Sequence, residues 1–62
     1  MKIDKRLMEL LEKEFVTVEE LEKIEEHEQV EETEFCGASG KHIGHNWYNI
    51  TLINKEEYNI YL

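Results

Sequence analysis

The stretch that decides the fold is His45-Asn46-Trp47-Tyr48-Asn49-Ile50-Thr51-Leu52-Ile53. Its side chains alternate with a period of two, which is the signature of a strand buried on one face. Tyr48, Ile50 and Leu52 point one way, and Trp47, Asn49, Thr51 and Ile53 point the other. Asn54-Lys55-Glu56-Glu57 then turns the chain, and Tyr58–Leu62 reads as a second strand. Pairing Leu52 with Tyr58, Ile50 with Ile60 and Tyr48 with Leu62 collects six apolar side chains on one face. A one-residue slip would send each of them to the opposite face. This pairing requires an odd-numbered loop, of three or five residues, with a bulge.

Working outward from that hairpin, Gly37-Ala38-Ser39-Gly40-Lys41 reads as a turn and Val30–Cys36 as a strand, although Glu is a poor strand former. Residues 2–15 have helical spacing: Ile3, Leu7, Leu10, Leu11 and Phe15 recur at steps of three and four. Thr17-Val18-Glu19-Glu20 fits a capping box, in which hydroxyl and carboxylate each accept from a free amide at a helix start. Val16 and Leu21 occupy the two positions of a hydrophobic staple. The second helix is expected to end near Glu28 or Gln29, with a link of about two residues between the helices. The predicted architecture is α+β in the order ααβββ, two N-terminal helices packed on a three-stranded antiparallel meander, with residues 1–62 as one small acidic domain.

The apolar fraction is 40% and the formal net charge is −8. The charge is not spread evenly. Nine Glu residues fall between positions 19 and 34, opposed there by Lys23 alone, and the rest of the chain balances six acids against six bases. Such a balance argues against direct contact with nucleic acid or an anionic membrane, because phosphates need Lys and Arg. The pair of helices is reminiscent of a helix-turn-helix, but a recognition helix carrying six Glu residues cannot approach phosphates. No run of about 18 apolar residues is present to span a membrane. The N-terminal stretch mixes charged and apolar residues unlike a signal peptide, so a cytoplasmic location is expected.

A helix over 19–28 would place six carboxylates along roughly 14 Å. That is one acid per roughly 2.3 Å, against about 1.7 Å per phosphate charge along duplex DNA. A folded domain with this density suits the nucleic-acid groove of a basic protein. The plainer role of a Glu-rich helix is a solvated face, and Glu on a strand also blocks edge-to-edge aggregation. In size and charge the chain is similar to the small acidic proteins that phages and mobile elements use against host enzymes, several of which mimic DNA. The expected partner surface comprises Glu19, Glu22, Glu25, Glu26, Glu28, Glu31 and Glu32, with Trp47 and Tyr61 as apolar anchors. Trp47, Ile53 and Tyr61 are open to two readings, an exposed patch or a second small core under the 37–46 loop.

Other constellations are weaker. Cys36, His42 and His45 are zinc-ligand types, but their spacing matches no common motif, and a buried Cys with two loop histidines is the simpler account. A Cys–His nucleophile lacks an oxyanion site. Gly37–His42 fails the P-loop pattern, since Phe35 stands where its first glycine belongs and His42 where a hydroxyl should follow the Lys. Asn49-Ile50-Thr51 matches a glycosylation sequon, which strand alternation explains as well. The resulting expectation is a non-enzymatic module without cofactor or metal that blocks a basic, nucleic-acid-binding protein. The alternatives are an oligomer, with Tyr58–Leu62 pairing across a two-fold axis, and a small zinc-site protein.

Overall fold

Ile50, Leu52 and Ile60 are wholly buried, and the chain is arranged to cover them. The computed structural model describes residues 2–62. Their order is α1 (Lys5–Glu12), α2 (Val18–Glu26), β1 (Val30–Ala38), β2 (Asn46–Leu52) and β3 (Glu57–Tyr61). The three strands form one antiparallel sheet in sequence order. Both helices lie on one of its faces, α2 over β1 and α1 over β3. Leu7 and Leu11 from α1, Val16 from the link, and Leu21 and Ile24 from α2 complete the core. The ααβββ arrangement is therefore the one expected from the apolar pattern.

Each helix is shorter than its apolar pattern. α1 starts only after Asp4, whose Oδ1 accepts from the amides of Arg6 (2.8 Å) and Leu7 (3.2 Å). It stops before Glu14, which adopts φ 69° in the left-handed region and cannot continue a helix. Phe15, expected on the helical stripe, instead forms a parallel bridge to Tyr61. The link between helices thus runs from Lys13 to Thr17, longer than the two residues expected. At α2 the capping box is present: the Thr17 amide donates to Glu20 Oε1 (2.9 Å) and the Glu20 amide to Thr17 Oγ1 (3.2 Å). Val16 and Leu21 are both buried at the staple positions. α2 ends at Glu26 rather than Glu28, because His27 is already extended.

The hairpin registers differ from expectation by two residues. Ile50 pairs with Tyr58 and Tyr48 with Ile60, whereas the sequence suggested Tyr58 opposite Leu52 and Ile60 opposite Ile50. A two-residue shift returns every side chain to the same face, so burial does not distinguish the two pairings. The loop does. Ile53-Asn54-Lys55 closes with the Leu52 amide donating to the Glu56 carbonyl and the Lys55 amide to that of Leu52, both at 2.9 Å. Lys55 takes the left-handed conformation (φ 74°) and Asn54 Oδ1 accepts from the Glu56 amide (3.0 Å). The three-residue loop is the shorter of the two odd lengths.

β1 continues to Ala38, past the expected end at Cys36, by bulging between Phe35 and Gly37. The positive φ of Gly37 (88°) suits that irregularity. The turn then occupies Ser39–His45. Within it Ser39 Oγ accepts from the amides of Lys41 (3.1 Å) and His42 (3.0 Å).

Two stability effects are expected in urea titrations followed by circular dichroism. Thr17→Ala should lower stability by about 1 kcal/mol, with Thr17→Ser close to wild type. Ile60→Ala should cost about 2–5 kcal/mol, a large share of the roughly 3–9 kcal/mol available to a chain this short.

Candidate binding surface

The acidic strip of the sequence becomes a surface that wraps around one edge of the sheet. Leu21 and Ile24 turn α2 inward. At about 100° per residue, Glu19, Glu22 and Glu26 then fall along the opposite, outward line. Glu20 points to α1, where it pairs with Lys13. Glu25 therefore lies on the other flank of α2, the side of β1. Glu28 follows the helix in the turn to β1. Glu19, Glu22, Glu25, Glu26 and Glu28 are all exposed.

Glu32 and Glu34 leave from the other face of the sheet. They oppose Thr51 and Asn49, which alternate with the buried Ile50. Thus residues contiguous in sequence flank the β1 edge from two sides, and do not form the single plane that a linear charge count suggests. Glu31 sits at the first irregularity of β1 and is held by Lys55 Nζ at 2.8 and 3.0 Å.

Which acids have partners is informative. Glu14, Glu20 and Glu31 pair with bases elsewhere in the chain, and Asp4 lies 4.0 Å from His27 Nε2. Glu19, Glu22, Glu25, Glu26, Glu28, Glu32 and Glu34 form no ion pair among the described residues.

The two expected aromatic anchors part company. Tyr61 is buried at 8% exposure. Its ring meets His42 edge-on at 4.5 Å and Phe15 at 5.8 Å. Trp47 is half-buried beside it, and the two border a depression with Ser39, Gly40, Lys41 and Asn59. Of the two readings of this patch, the small core beneath the loop describes Tyr61, which leaves it unavailable as an anchor. Tyr61 is also closed at its outer backbone. Its amide donates to the Glu14 carbonyl (2.7 Å), and its carbonyl accepts from the Val16 amide (3.0 Å). The final strand therefore does not present Tyr61 for pairing with a second copy.

Cys36, His42 and His45 do not converge. Among the described residues no three side chains of metal-ligand type form a cluster. Cys36 Sγ contacts the Glu34 carbonyl (3.6 Å), His45 Nδ1 the Leu62 carbonyl (3.2 Å), and His42 Nε2 the Glu14 carboxylate (3.0 Å). The bulge and the loop set the three on separate partners.

The Glu14–His42 contact is a feature the sequence does not announce, since 28 positions separate the two. With Lys41 Nζ at 3.7 Å from the same oxygen, it ties the 39–45 loop to the link between helices. The His42 hydrogen bond, aided by Lys41, holds the Glu14 carboxyl below its ordinary value of 4.5. Glu20 is likewise lowered, by Lys13 and by the Thr17 amide. Burial instead raises the Tyr58 phenol above 10.0, with Glu56 and Glu12 adding to the effect. Phe35, 58% exposed and packed against Tyr48 at 5.3 Å, is a second unanticipated feature.

No protein-family model, curated protein or solved structure matches this chain. No helix among the described residues is long and apolar enough to cross a membrane.

The lowered Glu14 value fixes a sign. A carboxyl that is more acidic when folded stabilises the fold above its unfolded value and loses that contribution as pH falls through the folded value. Wild type should exceed Glu14→Gln in urea midpoint above about pH 4.5, and the margin should shrink to nothing in more acid buffer. A margin that stays constant down to the acid limit would contradict the ion pairing.

Proposed function

We propose that this chain is a non-enzymatic binding module that engages a basic protein surface, the nucleic-acid-binding face of its partner, and competes with nucleic acid there. The observation that supports this reading is the division of its acids. Within the 19–34 strip Glu20 and Glu31 are taken up by Lys13 and Lys55, whereas the outward carboxylates Glu19, Glu22 and Glu26 of α2 form no ion pair among the described residues. Those carboxylates repel one another in the folded state, an unfavourable arrangement for stability alone. A basic partner would relieve it.

The axial spacing also supports mimicry of a phosphate backbone. Glu19, Glu22 and Glu26 share the outward line of α2, which rises about 1.5 Å per residue, so they follow one another at roughly 4.5 and 6 Å along its axis. Charge led by such a strip speeds encounter and makes affinity sensitive to salt. The inhibitory role and the viral or mobile-element setting are part of this proposal, carried by charge and size alone.

The test is competition. A basic nucleic-acid-binding protein from the source cell, captured on this chain, should be released by added duplex DNA and by rising salt. Replacing Glu19, Glu22, Glu25 and Glu26 together with Gln should weaken capture by at least about tenfold and flatten the salt dependence. Capture that is indifferent to all four substitutions would overturn the proposal.

A further inference from the structure

We propose that the outer edge of β1 accepts an extended basic segment of the partner as a fourth strand. This rests on the reading of a basic partner given above and specifies where and in what form the partner is held. Among the described residues β1 ends the sheet on one side. The other end differs, since Glu14 and Val16 already bond to Tyr61 on the far side of β3.

The backbone alternation shows which groups of β1 are available. Asn46 and Leu52 of β2 bond toward β3, to Leu62 and Glu56. Trp47, Asn49 and Thr51 therefore turn toward β1. Their partners include Glu34 and Glu32, so the intervening Thr33 and Phe35 direct their amides and carbonyls outward. The irregularities on either side confine the regular edge to Glu32–Phe35, which suits a short segment.

Side chains set the identity of the occupant. An added strand would place residues opposite Glu32 and Glu34 on the open face of the sheet, where Lys or Arg would meet carboxylates that form no ion pair among the described residues. The residue between them would fall on the helix side, opposite Thr33 and diagonal to Phe35, which is 58% exposed. The flank of α2 bearing Glu25 adds further negative charge on that side. A second copy of this chain is a poor occupant, since antiparallel self-pairing sets Glu32 and Glu34 against their own kind. The fitting partner is thus an extended segment alternating basic and apolar residues.

The probe is a labelled peptide of sequence Lys-Leu-Lys-Val-Lys, with fluorescence anisotropy read at low salt against the intact chain. Two further peptides serve as comparisons: one N-methylated at the amides facing β1, and one of the same composition with its three lysines adjacent. Both should bind at least about tenfold more weakly if strand addition holds the peptide. Thr33→Pro removes an outward amide and is tolerable at an edge, and Phe35→Ala removes the apolar contact; each should weaken the first peptide similarly. Circular dichroism checks that both variants fold. Equal binding of all three peptides to the unaltered chain overturns strand addition and leaves the charge-led function standing. Absence of binding by every peptide also overturns it, and the four-Gln capture assay then decides separately whether the acidic surface acts at all.

Discussion

Ile50 and Leu52 stand on the middle strand with no exposed surface, and a chain of 62 residues has few other places to hide apolar side chains. A small domain buries about 60% of what its unfolded form exposes, so one well-covered face must supply most of the stability. The helices are placed by that need. Leu7 and Leu11 bring α1 over β3, and Leu21 and Ile24 bring α2 over β1. The capping box and staple at Thr17 then direct α2 so that its narrow apolar edge meets the sheet. Its outward side is left to solvent, and that side carries Glu19, Glu22 and Glu26.

The consequence is a division of labour between the two edges of the sheet. The β3 edge is drawn into the fold by Phe15, whose neighbours bond to Tyr61, and by the 39–45 loop that Glu14 fastens through His42. Aromatic contacts among Phe15, His42 and Tyr61 seal that corner. Among the described residues the β1 edge has no such cover. Acidic side chains from α2 and from the open sheet face surround it instead. Like charges on identical edges oppose their pairing.

Much of the architecture was legible in the sequence. The period-two run from Tyr48 to Leu52 and the three-and-four spacing of Leu7 and Leu11 set element type and the buried face. Thr17 and Glu20 marked a helix start through purely local chemistry. Boundaries were less legible, because the stripe of α1 overruns a helix that Asp4 caps late and Glu14 stops early. The hairpin register was legible only in parity. The zinc-ligand residue types and the two aromatic anchors were legible as candidates, but not in their destinations.

What the sequence determined by itself follows from near neighbours along the chain: the order of elements, the apolar face of the central strand, the cap of α2 and the confinement of excess charge to 19–34. What only the tertiary structure decided depends on residues far apart. It chose between two registers of equal burial by closing the shorter loop at Lys55. It sent Tyr61 beneath a loop held by Glu14, and it divided one acidic stretch between a helix and the far face of a sheet. Local propensity has no means of expressing such choices, since each turns on which distant backbone or charge lies close enough to bond.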